Sequence, residues 1–459
     1  MRTLDQILTK KDYSRKTPAS LFYKDSPLWQ KLLAIGCVFF LSVAGLGEWK
    51  VLNGMLGGLP KAITLGVIGL AVLYALFYPD EKRLREIWKP TLLYMSLMVA
   101  LFFWSMVIWI KNFAAVSSMI RSCSKLVFQS IAILTAVALV YLFREKAIEL
   151  FTISICIANT AIMLLSIPGY GLAASLQSLI TCLVTFGDAD GYALQLEIHD
   201  LTFVFGQMVL YYAVFAPHST LQEKRKRRRY LLLCCWFFLV GMKRIAIPAV
   251  VLFILIALLL RKRKVPNWFY PAVGGCYILF FLAFLYCVRN GIITALLLRF
   301  GIDMMGRDYL WSMANPYYEF SITYLGHGFE YVDTIIAQWY NAGLLNQAIP
   351  FHNDILKVFV EVGFPGFLLW SGIQYVLTPL FWQRYADQQT ALLYMCELGY
   401  MTVTYLTDNT AFYFWSAMAL RLVTLAYAME RKKPPEPKVW MPDSRQEMRD
   451  RIRILMKEV

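Results

Sequence analysis

The residues most able to do chemistry lie in one short polar segment, Phe351-His352-Asn353-Asp354, which precedes a long apolar run. Asn353 or Asp354 is a natural N-cap for a helix that begins here. The positive end of that helix dipole would face the preceding loop, where it suits a diphosphate. The imidazole of His352, just outside the helix, can accept a proton from a hydroxyl group or hydrogen-bond a phosphate. The alternative is an interfacial histidine beside an ordinary helix cap.

A polar stripe continues from this segment into the helix that it begins. Asp354, Lys357 and Glu361 stand at positions i, i+3 and i+7, so they share one helix face. Ionisable residues are costly inside an apolar membrane helix and mark candidate functional sites. The stripe therefore favours a functional role for His352 over a simple helix cap.

Two cationic pairs could serve the same site. Lys243-Arg244 interrupts the apolar stretch 230–260, which is too long for one ordinary membrane span and short for two. The pair is therefore expected at a hairpin, where an arginine can bind a diphosphate in a bidentate manner. A turn whose side chains snorkel to the interface is the alternative. Arg121 and Lys125, one helical turn apart, could add to a cationic pocket.

A third motif is Gly306-Arg307-Asp308-Tyr309-Leu310-Trp311, in which Arg307 is one of three basic residues of the segment 289–352. Its functional use would be substrate binding. The alternative is a surface ion pair between Arg307 and Asp308, which would contribute little. His327 stands between two glycines, and this setting favours a turn element over a catalyst.

Weaker polar candidates stand elsewhere in the chain. His199-Asp200 follows Asp188 and Asp190, but this pattern is a weak metal signal and loop solvation explains it better. We therefore predict no metal site. Asp408-Asn409 can contact substrate or cap a helix.

Glu397 and Arg421 stand in the last two apolar runs. We expect them to pair with each other between the two helices, in a structural role.

The composition indicates the elements that must position these residues. Of 459 residues, 59% are hydrophobic and 16% charged, whereas a soluble protein carries roughly a quarter charged residues. Apolar runs of about 20 residues are continuous, as in membrane helices, and lack the alternation of barrel strands. The sequence predicts an all-α polytopic membrane protein. Twelve spans are expected: 32–47, 59–78, 90–110, 118–142, 147–167, 192–216, 230–241, 245–260, 268–288, 354–382, 389–406 and 410–429.

The net charge of +15 is distributed as a topology signal. Counting from the first span, 33 of the 45 basic residues fall on alternate connections, which places both termini in the cytoplasm. The basic run 224–229 is then a topology signal first and a site for anionic lipid headgroups second. Nucleic acid is not expected as a partner. No cleavable signal peptide is expected in residues 1–31, which are polar and mixed, and the nine cysteines show no disulfide or CxxC pattern.

Five parts follow from this topology: a cytoplasmic segment 1–31, nine spans in 32–288, a large outer loop 289–352, three spans in 353–429 and a cytoplasmic tail 430–459. Loops as long as 289–352 are usually functional or disordered. This one has amphipathic stretches at Asp308–Tyr324 and Tyr331–Leu345, whose aromatic residues suit either the membrane interface or sugar stacking. The segment 168–191 is expected to be re-entrant or to lie at the interface.

Taken in order, three motifs resemble the O-antigen ligase and polymerase superfamily: Gly306-Arg307-Asp308 with Trp311, Gly326-His327-Gly328-Phe329, and His352-Asn353-Asp354 with Glu361 and Gly363. Lys243-Arg244 matches the family's basic hairpin, although this chain has Gly-Met-Lys-Arg where relatives have a sequence like Ser-Arg-Gly-Ala. The sixth span begins Glu-Ile-His-Asp, where relatives often have His-Pro-Asn. Both departures bear on the substrate more than on the chemistry.

The resemblance implies a metal-independent, cofactor-free glycosyltransferase with an integral-membrane (GT-C-like) architecture. It would use an undecaprenyl-diphosphate-linked oligosaccharide on the outer face of the bacterial cytoplasmic membrane. His352 would activate or position the acceptor, and Arg244 and Arg307 would bind the diphosphate. Further substrate-binding residues would be Lys243, Arg121, Lys125, Asp308, Tyr309, Trp311, Asn353, Asp354 and Glu361.

Three functions remain open at this point. Polymerisation of lipid-linked repeat units into an O-antigen or capsule is favoured, because no soluble acceptor domain follows the loop. The alternative is a ligase that transfers the glycan to lipid A-core or another acceptor. A lipid-glycan flippase is less favoured, since the candidate residues gather at one face and not at the midplane. Besides donor, glycan acceptor and lipid bilayer, a flippase and a chain-length regulator are expected partners.

Overall fold

The computed structural model describes residues 28–185, 190–301, 306–346 and 350–432, which form helices and turns with no strand among them. Helices of the first half are α1 (Leu28–Leu46), α2 (Lys50–Leu56), α3 (Leu65–Phe77), α4 (Glu81–Lys111), α5 (Val116–Phe143), α6 (Ala147–Ser166), α7 (Leu172–Thr185), α8 (Gly191–Leu196), α9 (His199–Leu210) and α10 (Leu221–Val240). Those of the second half are α11 (Ala246–Leu260), α12 (Phe269–Arg289), α13 (Ile292–Arg299), α14 (Arg307–Ala314), α15 (Tyr331–Asn341), α16 (Asp354–Ser371), α17 (Thr378–Tyr385), α18 (Gln388–Tyr405) and α19 (Phe414–Arg431). Most of the predicted segments 1–31 and 430–459 lies outside the described residues.

Six helical segments of the described chain are long and apolar enough to cross a membrane: Leu28–Leu46, Leu59–Phe77, Glu81–Lys111, Val116–Gly169, Phe269–Arg289 and Asp354–Tyr385. Shorter apolar helices occupy Leu172–Thr185, Asp200–Phe215 and Ala246–Leu260. Large apolar side chains also cover the outside of the bundle; Leu76 and Phe103, for example, are 72% and 63% exposed. The structure thus supports an all-helical membrane protein, and the count of twelve spans stays a prediction.

Several helices begin before the apolar runs that predicted them. Their first turns carry charged residues, so a hydropathy pattern does not include these turns. α4 begins at Glu81, nine residues before the expected span, where the Asp80 side chain accepts a hydrogen bond from the Arg83 amide. α10 begins at Leu221 with a capping box formed by Thr220 and Glu223, so the basic run 224–229 is helical. Local capping therefore sets these boundaries.

The long segment between α12 and α16 folds into short helices against the bundle. The first expected amphipathic stretch is helical only to Ala314, followed by a 3₁₀ turn, Asn315–Tyr317. The Arg289 guanidinium donates to the carbonyls of Asn315 (3.0 Å) and Tyr318 (2.5 Å), which fastens this turn to the end of α12. The second stretch forms α15 as far as Asn341.

Three chain segments meet at one end of the bundle. The Asn112 side chain, after α4, donates to the Gly326 carbonyl (3.3 Å), and the Ser122 hydroxyl of α5 donates to the Phe329 carbonyl (2.5 Å). The Gln129 amide donates to the Phe412 carbonyl (2.5 Å), in the turn before α19. We call this end of the bundle, where 306–346 and 350–353 pack on α5 and on the turn 406–413, the loop end.

Candidate functional site

The loop end holds a cavity of about 590 Å³ with an unusual density of charge. It lies between α5, α15, the first turn of α16 and the turn before α19. Its ionisable lining residues are Lys61, Arg121, Lys125, Lys357, Glu330, Asp333 and Asp354. Four cations and three carboxylates thus share one pocket, which we call the charged cavity.

Helical spacing explains how single helices supply several of these groups. Arg121, Lys125 and Gln129 of α5 stand four residues apart, so they present one face to the charged cavity. Asp354 and Lys357 stand on one face of α16 in the same way. Arg121 and Lys125, expected from the sequence as a possible part of a cationic pocket, both line this cavity.

Two of the three lysines of the cavity, Lys125 and Lys357, are neutralised by carboxylates at the start of α15. Lys125 Nζ lies 2.7 Å from Glu330 Oε1, and Lys357 Nζ lies 2.8 Å from Asp333 Oδ2. Burial acts to raise the pKa of Asp333, but the ammonium groups of Lys357 and Lys125 outweigh it and hold this pKa well below its usual range. Arg121 is exposed and has no carboxylate partner within the described chain. It is therefore the cavity cation most available to an anionic ligand.

Asn353, and not Asp354, caps α16. The Asn353 side-chain oxygen accepts a hydrogen bond from the Leu356 amide at 3.0 Å. Asp354 is buried and accepts from the Ala411 amide at 2.6 Å, which ties the start of α16 to the turn before α19. The cap and this tie together place the helix N-terminus at the wall of the cavity.

His352 stands between the cavity-lining residues Pro350 and Asp354, in a left-handed backbone conformation (φ 54°). Its amide donates to the Asn409 side-chain oxygen at 2.9 Å. Its Nδ1 lies 3.4 Å from Asp408 Oδ1, within ion-pair range although not aligned for a hydrogen bond. The turn residues Asp408 and Asn409, weak candidates in the sequence, therefore hold His352 in place.

The hairpin between α10 and α11 joins the same group of residues. Lys243 Nζ lies 3.8 Å from Asp408 Oδ2 and 2.8 Å from Glu197 Oε1. Asp408 thus links the Lys243 hairpin to His352. Arg244, the neighbour of Lys243, is exposed in the hairpin and is not among the residues that line the charged cavity.

The motif Gly306–Trp311 contacts the backbone next to His352. The buried Trp311 indole donates to the Phe351 carbonyl at 3.3 Å, one residue before His352. Arg307 and Asp308 are half-buried and Tyr309 is exposed, and none of them lines the charged cavity. Their contact with substrate stays a prediction, whereas Trp311 has a clear positioning contact.

A kink at Gly363 joins the two glycine motifs of the sequence. Gly363 has φ 66° and ψ −174°, a conformation that is essentially restricted to glycine. A Cβ at Gly363 would overlap the backbone of Tyr324 and Leu325, and a Cβ at Gly326 would overlap the backbone of α16. The segment Tyr324–Gly328 can therefore dock on the kink only because both positions lack a side chain.

Backbone hydrogen bonds complete this docking. The amides of His327 (3.0 Å) and Gly328 (2.7 Å) donate to the Glu361 carbonyl, and the Phe364 amide donates to the Tyr324 carbonyl (2.8 Å). The Glu361 side chain is fully buried; its Oε1 accepts from the Val332 amide at 3.2 Å and lies 4.0 Å from Lys357 Nζ. Glu361 thus lies beneath α15 rather than in the cavity wall, where it supports the residues that carry charge.

His327 is a structural residue of the docked segment, as the sequence predicted from its two flanking glycines. Its ring stacks on Tyr331 with centroids 4.2 Å apart, and its Nε2 lies 2.8 Å from the Tyr317 carbonyl. Burial lowers the pKa of His327. The neutral ring then donates from Nε2 to that carbonyl.

The weaker candidates have structural roles. Asp200 accepts from the amides of Trp415 and Ser416, each at 3.0 Å, and so caps α19. Asp188 lies outside the described residues; among those described, no group of three His, Cys, Asp or Glu residues could hold a metal ion.

The expected pair between Glu397 and Arg421 is wrong. Arg421 donates to the Ala417 carbonyl, and neither Glu397 oxygen has a hydrogen-bond partner in the described chain.

Residues 230–371 match the family model described as O-antigen ligase. This match supports the resemblance of the chain to the O-antigen ligase and polymerase superfamily. Members of this superfamily are glycosyltransferase-like enzymes that act on lipid-linked glycans. The O-antigen ligase match includes the Lys243 hairpin, His352 and the Gly363 kink, but not α5 with Arg121 and Lys125. A search of curated proteins finds no match.

Sequence reasoning missed several residues of the charged cavity. Lys61, Glu330 and Asp333 line the charged cavity, and none of them was a candidate. Glu330 and Asp333 stand three residues apart at the start of an amphipathic helix, which was an available signal for one charged face. No sequence signal pointed to Lys61, because it lies far in the chain from the other residues of the cavity.

Proposed function

We propose that this protein transfers a glycan from a polyprenyl-diphosphate carrier to an acceptor hydroxyl at the loop end of the bundle. The observation that carries the proposal is the charged cavity beside His352, at the N-terminus of α16. A helix N-terminus and the guanidinium of Arg121 suit a diphosphate. In this proposal the loop end lies on the outer face of the bacterial cytoplasmic membrane and both termini are cytoplasmic.

His352 is the proposed general base. With Asp408 beside Nδ1, the ring would keep its proton on that atom and present Nε2 as the acceptor. As the acceptor oxygen forms its bond to the anomeric carbon, Nε2 takes the hydroxyl proton and the bond from that carbon to the diphosphate oxygen breaks. The polyprenyl diphosphate leaves with the bonding electrons, and the anomeric configuration inverts.

Cationic side chains stabilise the charge that develops on the leaving diphosphate. Arg121 lines the charged cavity, and Arg244 and Arg307 are the two further arginines proposed from the sequence to bind the diphosphate. Lys125 and Lys357 contribute less, because Glu330 and Asp333 already neutralise them. This assignment uses the protein's own cations and no metal.

Polymerisation of lipid-linked repeat units is the favoured reaction, and ligation to another acceptor is the alternative. The two reactions share the donor and the leaving group and differ only in the acceptor. A polymerase lengthens chains that stay on the lipid, whereas a ligase moves a glycan off the lipid carrier. Product analysis therefore separates them.

The test supplies the purified protein with a polyprenyl-diphosphate-linked oligosaccharide and follows chain length on gels. His352→Ala should lower turnover by about 10²–10⁴-fold, the usual range for loss of a general base. His218→Ala is the matched control, because His218 lies in the connection before α10. Lipid-linked ladders would support the polymerase, and transfer to an added acceptor the ligase. Full turnover by His352→Ala would refute the assignment of the base.

A further inference from the structure

A second hollow, which is apolar, lies between α4 and α5 near the loop end. Its volume is about 520 Å³, and its walls include Phe102, Met106 and Trp109 of α4 and Ile120, Cys123 and Val127 of α5. A smaller hollow of about 220 Å³ continues it and shares Phe102, Cys123 and Val127. The shared walls make the two hollows one channel along the helix pair, which we call the apolar groove.

The apolar groove adjoins the charged cavity through α5. One face of this helix presents Arg121 and Lys125 to the cavity, and the neighbouring face presents Ile120, Cys123 and Val127 to the groove. Phe128 lines both spaces. A single amphiphilic ligand could therefore reach from one space into the other along α5.

The groove opens sideways to the surroundings of the bundle. Ile120, Val127 and Phe103 are 62%, 56% and 63% exposed, as expected of side chains that face lipid. Along α5 its walls run from Met119 to Ser130, which is about 16 Å at 1.5 Å per residue. This length is about half of a hydrocarbon core of ~30 Å, so the groove is about as long as one leaflet is thick.

We propose that the apolar groove binds the proximal part of the polyprenyl chain of a lipid-diphosphate donor, with the diphosphate in the charged cavity. The inference rests on the proposed function for the nature of the donor. An anionic head joined to an apolar tail matches the two adjoining spaces and the lateral opening. A single tail enters from the leaflet without leaving hydrocarbon.

Recognition in the groove differs from hydrophobic binding in water. Lipid tails are as apolar as the groove walls, so a polyprenyl chain gains van der Waals packing there rather than release from water. The groove should therefore orient the donor and distinguish a polyprenyl chain from other lipid tails, and it should raise the affinity for the donor only slightly. When a bulky side chain fills the groove, we expect kcat/KM to fall about tenfold, which is equivalent to about 1.4 kcal/mol.

The first test fills the groove with Val127→Trp. The control is Val107→Trp on α4, since Val107 is 55% exposed, almost the same as Val127, and lines neither hollow. With donors in proteoliposomes, Val127→Trp should lower kcat/KM about tenfold for a full-length polyprenyl chain and leave a two-isoprene donor unchanged. Val107→Trp should change neither value. Equal losses for both donors, or no loss for either, would overturn the inference.

The second test needs no glycan transfer. A benzophenone amino acid replaces Val127 or Val107, and labelled polyprenyl diphosphate without sugar is photo-crosslinked in phosphatidylglycerol vesicles. Crosslinking at position 127 alone, competed by unlabelled polyprenyl diphosphate, supports the groove as a tail site. Equal crosslinking at both positions, or none at position 127, overturns it. If the wild-type protein transfers no glycan, the proposed function fails while this measurement still decides the groove.

Discussion

Gly363→Ala should detach the segment Tyr324–Gly328 from α16. The new methyl group cannot be accommodated by a side-chain movement, because it would overlap the backbone of Tyr324 and Leu325. The helix kink also needs φ 66° and ψ −174°, which alanine adopts only under strain. Either α16 must straighten or the docked segment must move away.

The contacts at the kink give the size of the effect. A backbone conformation of this kind costs a non-glycine residue about 1–3 kcal/mol. Three hydrogen bonds join the kink to the segment, from the amides of His327, Gly328 and Phe364, and each contributes about 1 kcal/mol. This strain and the backbone overlap at Gly363 oppose the roughly 3 kcal/mol that the three hydrogen bonds contribute to docking. We therefore expect the segment to be undocked in most molecules.

Hydrogen exchange measured by mass spectrometry in detergent checks this expectation. Peptides that cover His327, Gly328 and Phe364 should lose about 10²-fold of their protection, which corresponds to the roughly 3 kcal/mol of the three hydrogen bonds. Glycan transfer should fall as well, because α15 and its carboxylates follow the docked segment.

Gly372→Ala is the matched control for this variant. Gly372 has an ordinary φ of −61°, and a methyl group added there would meet no neighbouring atom within 4 Å. Its replacement should be neutral or slightly stabilising, since alanine favours helix over glycine by up to about 1 kcal/mol. Wild-type protection at the kink in Gly363→Ala would refute the docking argument.

Three further predictions concern the site. Asp408→Asn should lower the turnover number more than it changes KM and should shift the pH profile of transfer, whereas a purely structural role would leave the profile in place. Asn353→Ala removes the hydrogen bond to the Leu356 amide and should lower the free energy of unfolding by about 1 kcal/mol, with Asn353→Ser retaining most of it; equal stability of both variants would contradict the cap. Asp333 has a lowered pKa in the folded protein, so its ionised form stabilises the fold above the unfolded pKa of about 3.9 and this stability is lost as the pH falls. Melting temperatures measured below about pH 4 should therefore fall less in Asp333→Asn than in the wild type.

The local features of the site were accessible from the sequence. The segment His352-Asn353-Asp354 predicted a helix start, and α16 begins there with Asn353 as its cap. Arg121 and Lys125 stand one helical turn apart, which suggested that they could add to a cationic pocket, and both residues line the cavity. These predictions succeeded because caps and helix faces depend on residues within one or two turns.

Contacts between distant segments could not be predicted in this way. Glu330 neutralises Lys125, which is about 200 positions away in the chain. Asp408, in the turn 406–413, lies beside His352. The pairing of Glu397 with Arg421 was expected between the last two apolar runs and is wrong, since the rotation of each helix decides which faces meet. Sequence periodicity gives the face of one helix but not the partner that this face meets.

The sideways opening of the apolar groove has a kinetic consequence. Ile120 and Val127 are more than half exposed where the bilayer would lie, so a donor would arrive by diffusion within the leaflet rather than from solution. Its effective concentration is then a mole fraction of the surrounding lipid. Diluting the donor with inert phospholipid at constant bulk concentration should slow transfer in proportion, and adding more vesicles of the same composition should leave the rate per enzyme unchanged.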